Sequence, residues 1–193
     1  GVINGQSFGL YVDRTGVYGD DLIVATEEGE VWRADAFGNP TFIADVDAHF
    51  ENVITVPNDV GKYGPLAGKI VAGDSPSSLL YAFDNDGFVE IHDLGSNISD
   101  IEDIDLIVPN ENFFGINFGS ASILGAPASQ FTPFVDDILI TEEHHDGVGL
   151  HRLFWDGNSL QVETLTLAAG SAIPAPIWEH VTFAPNVIVP TLP

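Results

Sequence analysis

An acidic residue, a short β-rich run and a Pro-Asn stop recur three times along this chain, and that repeat limits the folds open to it. The first copy is residues 51–58, Glu-Asn-Val-Ile-Thr-Val-Pro-Asn. The second, one residue longer, is 102–110, Glu-Asp-Ile-Asp-Leu-Ile-Val-Pro-Asn, and the third is 179–186, Glu-His-Val-Thr-Phe-Ala-Pro-Asn. Self-similarity at this scale marks a repeat architecture, in which each unit buries a face against its neighbours.

The stretches between the copies also correspond. Residues 8–13 alternate and read as an innermost strand, followed by strands at 20–26, 31–35 and 40–45. A second pass places strands at 68–73, 80–84 and 88–93, with Asn85, Asp86 and Gly87 as a hairpin turn that tolerates positive φ. A third places them at 136–141, 152–156 and 160–165. No segment has helical periodicity, so the chain reads as all-β. Units of four antiparallel strands at a spacing of about 40–50 residues are the signature of β-propeller blades. One domain is expected, with repeats at about 19–58, 67–110 and 135–186 and an inserted hairpin at about 111–134. Trp32, Tyr81 and either Phe154 or Trp155 hold one strand position and are expected to pack between blades.

That makes about three blades plus flanking inner strands, fewer than the four to eight of a closed propeller. A partial ring leaves sheet edges that invite pairing. The expectation is that the chain, which begins at Gly1, is completed by a missing N-terminal half or by self-association. The insertion, rich in Phe113, Phe114, Ile116, Phe118, Ile123 and Leu124, reads equally as an assembly element or as a cap over the blades.

Charge narrows the partners. Five basic residues face 29 acidic ones, for a formal net charge of -24 over 193 residues. Such a surface repels nucleic-acid phosphates and anionic membranes, and it suits divalent cations, high salt, low pH or plain solubility. No apolar run reaches the roughly 20 residues that a membrane span requires. Cysteine is absent, which rules out disulfides, thiolate metal sites and a cysteine nucleophile.

Four motifs stand out: Asn-Asp-x-x-Lys-Tyr-Gly-Pro-x-Ala-Gly-Lys at 58–69, Pro-Asn-Glu-Asn-Phe-Phe-Gly-Ile-Asn-Phe-Gly at 109–119, Ile-Leu-Gly-Ala-Pro-Ala-Ser at 123–129 and Trp-Glu-His-Val-Thr-Phe-Ala-Pro at 178–185. They resemble a group of secreted bacterial propeller proteins, many of which are predicted to be sorted to the cell surface by a C-terminal Pro-Glu-Pro type signal. The resemblance covers nearly the whole chain. It implies a six-bladed ring related in shape to NHL and SMP-30-type propellers, of which this chain would be the C-terminal half, and an extracellular or cell-surface location. The chain departs from that pattern at both ends, since N-terminal blades are missing and 189–193 end before any sorting signal.

If the repeated stretches are innermost strands, Glu51, Glu102 and Glu179 converge near one mouth of the axis, with His180 beside them. Gathered carboxylates repel one another unless protonated or bridged, and hard divalent ions take oxygen ligands, so a Ca²⁺-type site is one reading. The other is that each Glu accepts hydrogen bonds from loop amides and fixes blade geometry. The Glu-Glu-His-His-Asp run at 142–146 reads as a loop, and no Gly-x-Ser-x-Gly or phosphate-loop motif occurs. The function expected is an extracellular, acidic β-propeller acting through binding or assembly, with divalent cations as stabilisers. The alternative is a metal-dependent hydrolase, lactonase or lyase of SMP-30-like type, with a general base among Asp103, Asp105 and His180.

Overall fold

A computed structural model describes residues 2–3, 5–75, 77–142, 149–165 and 177–185. The first sheet is a meander of β1 (Ser7–Val12), β2 (Leu22–Thr26), β3 (Glu30–Ala34) and β4 (Pro40–Asp45). The second repeats it with β5 (Ile54–Thr55), β6 (Ile70–Gly73), β7 (Leu79–Phe83) and β8 (Val89–Asp93). Between β5 and β6 lies the short helix α1 (Val60–Tyr63), capped by the Asp59 carboxylate.

The chain then forms β9 (Asp103–Leu106) and leaves it for a hairpin, β10 (Glu111–Asn117) and β11 (Ser122–Ala126). It returns through β12 (Ile138–Thr141), β13 (Leu150–Trp155) and β14 (Leu160–Thr164), which complete the third sheet in the order β14-β13-β12-β9. The last strand, β15 (Trp178–Pro185), pairs antiparallel with β10. The described residues therefore build a β-propeller of four blades, the fourth being β11-β10-β15.

The inserted hairpin is accordingly part of a blade rather than a cap laid over the blades. Its strand β10 sits inside a sheet, between β11 and β15. Nor is 179–185 a lone flanking strand, because Phe113 stands opposite Phe183 and Gly115 opposite Val181.

Each junction between consecutive blades holds its own apolar cluster. Ile23, Ala25 and Val31 of the first blade meet Ile70, Ala72 and Phe83 of the second. Val71, Leu80 and Ala82 meet Ile104, Ile138, Ile140 and Leu153 of the third. Leu139 and Leu150 meet Phe113, Trp178, Val181 and Phe183 of the fourth. Strand alternation explains the division: Ile70 and Ala72 point one way and Val71 the other. A strand buried on both faces carries apolar residues without interruption, as β6 and β12 do.

The outer faces of the two end blades are uncovered. Leu10, Val12, Leu22 and Phe42, on one face of the first blade, are 63%, 57%, 37% and 48% exposed. Phe114, Ile116 and Ile123, on the far face of the fourth, are 40%, 40% and 74% exposed. The two blades are linked by an ion pair of Arg14 Nη2 and Glu111 Oε1, 2.7 Å apart.

Candidate functional site

The innermost segments of all four blades surround one cavity of about 420 Å³. The first blade contributes Leu10, Tyr11 and Val12, with Arg14 just beyond; the second contributes Glu51, Asn52 and Val53. The third contributes Asp103, Ile104 and Asp105, and the fourth His180, Val181 and Thr182. Val53, Ile104 and Val181 thus share a centre, as equivalent positions of a repeat must.

The four residues singled out as metal ligands do not assemble together. Glu51 and His180 line the cavity, whereas Glu102 and Glu179 do not. Glu51 Oε1 lies 3.0 Å from His49 Nε2. Glu102 is buried at 2% exposure, and Glu179 keeps a buried carboxylate oxygen with no hydrogen-bond partner among the described residues. His180 Nδ1 stands 3.8 Å from Asp103 Oδ2. Calcium asks for six to eight oxygens. Among the described residues no three His, Asp or Glu side chains stand close enough to hold a metal ion. Of the 142–146 run, residues 143–146 lie outside the described residues.

The residues after the repeated glutamates carry the geometry instead. Asn52 Nδ2 donates to the carbonyls of Ile101 at 3.0 Å and Glu102 at 3.2 Å, and its Oδ1 accepts from Gly73 N at 2.9 Å. It therefore stitches the second blade to the third. Asp103 stands at the equivalent place one repeat later, and its Oδ2 accepts from Val181 N of the fourth blade at 2.7 Å. Two residues on, Asp105 Oδ2 accepts from Phe183 N at 3.1 Å. Side-chain oxygens thus take the donors of β15 that face β9. Asp13 Oδ1 accepts from the Thr55 hydroxyl at 2.7 Å and makes the same kind of link between the first two blades.

Electrostatics follow from this burial. Desolvation pushes the Asp103 carboxyl up to about 8, against the Val181 and Ile104 amides that favour its charged form. Desolvation pushes Asp105 up to about 6, with the Phe183 and Leu106 amides opposing. Burial first, and the Asp105 charge second, also push the Tyr11 hydroxyl up. Among the described residues that buried hydroxyl has no hydrogen-bond partner. A carboxylate row in which acids alternate with Ile104 and Leu106 was visible as a period-two pattern, but Tyr11 and Arg14 gave no such sign.

A second buried polar chain lies in the third blade. His151 Nε2 is 2.7 Å from Glu142 Oε2, and the ring's Nδ1 is 3.1 Å from Thr164 Oγ1. Glu142 Oε1 also accepts from Ser99 N at 2.8 Å, which fastens the loop before β9 to β12.

No protein-family model matches the chain, and no curated protein matches it in sequence. Solved structures similar to it include a streptogramin B lyase, with 14% identity and a TM-score of 0.45 over 91% of this chain and 59% of that one. A virginiamycin B lyase from Staphylococcus aureus is similar at 12% identity and a TM-score of 0.43, over 86% of this chain and 57% of that one. A putative gluconolactonase is similar at 10% identity and a TM-score of 0.40, over 86% and 66%. The chain spans about three fifths of the length of the lyase chains that it matches.

Proposed function

We propose that this propeller is a ligand-binding module whose axial cavity holds a small neutral or cationic organic molecule. The observation that carries the reading is the convergence of polar groups from four blades on one cavity of about 420 Å³, a volume usual for small-molecule sites. Leu10, Val53, Ile104 and Val181 supply apolar wall, while Glu51 and Asp105 disfavour an anionic guest. Tyr11, a lining residue with an unpaired hydroxyl, gains from any guest able to hydrogen-bond it.

Thermal melts at pH 7 with an alkylamine, a sugar alcohol and a carboxylate of matched size test this. A ligand at ten times its dissociation constant should raise the melting temperature by roughly 3–5 °C. The amine or the polyol is expected to do so, and Glu51→Gln should weaken the amine's effect. No shift with any of the three, or a shift with the carboxylate alone, rejects the reading.

One observation favours a second reading, acid–base catalysis. A carboxyl held up at about 8 stands beside the His180 imidazole in the same cavity. Turnover of simple lactones or aryl esters that is lost in Asp103→Asn would establish it over the first.

The uncovered end faces belong to the same proposal. Each carries the apolar pattern that the internal junctions bury, so a second copy docked end to end meets matching chemistry. Native mass spectrometry should then show dimers or larger species, favoured by added salt that screens the net charge. Monomer at every salt and protein concentration would rule out the second copy.

A further inference from the structure

The polar chain of the third blade runs outward from the interior and ends on a hydroxyl. Glu142 and His151 are each 2% exposed, whereas Thr164 is exposed on β14, the edge strand of its sheet. None of the three lines the axial cavity. We propose that these residues form an acyl-transfer relay, in which Thr164 is the nucleophile toward activated esters, His151 its general base and Glu142 the residue that positions the base.

Both nitrogens of the imidazole have a fixed partner. Glu142 Oε1 accepts from Ser99 N at 2.8 Å, and this anchor leaves Oε2 facing His151 Nε2 at 2.7 Å. A carboxylate only accepts, so it takes the Nε2 proton and selects the tautomer whose Nδ1 carries a lone pair. Nδ1 lies 3.1 Å from Thr164 Oγ1, within the reach that a general base needs. A hydroxyl is a weak nucleophile until an adjacent base takes its proton, and a base oriented by a third group serves that purpose.

The register of the sheet supplies the rest. His151 and Thr164 stand directly opposite each other across β13 and β14. Leu165 N donates to Leu150 O at 2.8 Å, so the next pair along carries the ladder bonds. His151 and Thr164 are therefore a non-hydrogen-bonded pair, the kind whose side chains approach most closely. The same alternation turns the Thr164 N–H away from β13, toward the open edge of the sheet. An acyl carbon bonded to Oγ1 brings its oxygen near that amide, which then stabilises the charge developing on it.

In the reaction, Oγ1 adds to the ester carbonyl carbon as its proton passes to Nδ1. The carbonyl reforms when the bond to the leaving oxygen breaks, and that oxygen takes the proton from the imidazole. Thr164 is left O-acylated and the alcohol departs. Water, deprotonated by the same nitrogen, then releases the carboxylic acid and restores the hydroxyl.

Incubation of the intact chain with p-nitrophenyl acetate, quenched in acid at intervals and followed by peptide mass spectrometry, tests the relay. Acetyl-Thr164 should form about 100-fold faster than acetyl-Thr41, an exposed threonine on the outer strand of the first blade. Thr164→Ser should keep that advantage. His151→Gln, which can still donate to Glu142 but offers no base, should bring position 164 down to the rate of Thr41. Glu142→Gln should lower the ratio about tenfold with Thr41 labelling unchanged, a selective loss that a purely structural role does not produce. Equal rates at Thr164 and Thr41 in the parent overturn the proposal, and so does an advantage at Thr164 that survives His151→Gln.

Discussion

Asn52→Leu is expected to lower the stability of the folded chain by about 3–5 kcal/mol. The side chain is 2% exposed and makes three hydrogen bonds, one to Gly73 N and two to the carbonyls of Ile101 and Glu102. Leucine fills nearly the same volume, so little packing is lost. What remains is one amide and two carbonyls facing apolar atoms without partners, each costing about 1–3 kcal/mol when relaxation is incomplete. Relaxation is restricted here, since a Cβ on Gly73 would already stand 2.1 Å from Ile101. For a chain of this size the melting temperature should fall by about 10 °C. The comparison is Asn97→Leu, at an exposed loop position, which should stay within about 0.5 kcal/mol of the parent. Urea titrations giving a loss below about 1 kcal/mol for Asn52→Leu would mean that the stitch between blades is not what joins them.

The second large effect is a dependence on pH with a definite sign. Burial raises the folded-state pKa values of Asp103 and Asp105 to about 8 and about 6, above the roughly 3.9 of an unfolded aspartate. Below about pH 4 both states carry the protons and nothing is lost. As pH rises from about 4 to about 8 the folded chain holds protons that the unfolded chain has released, so stability falls across that window. Asp103→Asn keeps an oxygen to accept from Val181 N and removes the ionisation. At pH 8 it should be more stable than the parent by on the order of 2 kcal/mol, with the gap closing near pH 4. General repulsion among 29 acidic residues also grows with pH, so Asp45→Asn, an exposed aspartate, serves as the reference for loss of one charge. Equal behaviour of the two variants would show that Asp103 is not desolvated in the folded chain.

This aspartate pair would join stability to the proposed ligand binding. The groups that would meet a ligand at the axis are the ones that hold β15 against β9 through its amides. A proton gained or lost there alters the cavity and the seating of the fourth blade together. Burial in a low dielectric is tolerable because each carboxylate is hydrogen-bonded twice by backbone amides.

Much of the fold was legible in the chain. The repeated stretches at 51–58 and 102–110, with residues 179–185 of the third copy, lie around one centre, and the chain did form propeller blades. Each stretch, however, pairs with strands that follow it (β5 with β6, β9 with β12) or with the inserted hairpin (β15 with β10), and does not close the unit before it. Period-two patterning and turn residues act locally, which is why they can be read without coordinates. The expectation for the aromatic position was met by Tyr81, buried between the first two blades, while Trp32 lies on the first blade's free face against Phe42.

What the chain alone determined, then, is where strands begin and end and which of them repeat. Only the tertiary structure decided that β10 pairs with β15, some sixty residues later, because ladder hydrogen bonds form between backbones and leave no mark on side-chain identity. The same holds at the axis. A glutamate recurring in each repeat looked like the chemistry, yet the work falls to Asn52, Asp103 and Asp105, whose partners are amides and carbonyls of other blades. Any residue supplies those backbone groups, so no sequence pattern could have named them.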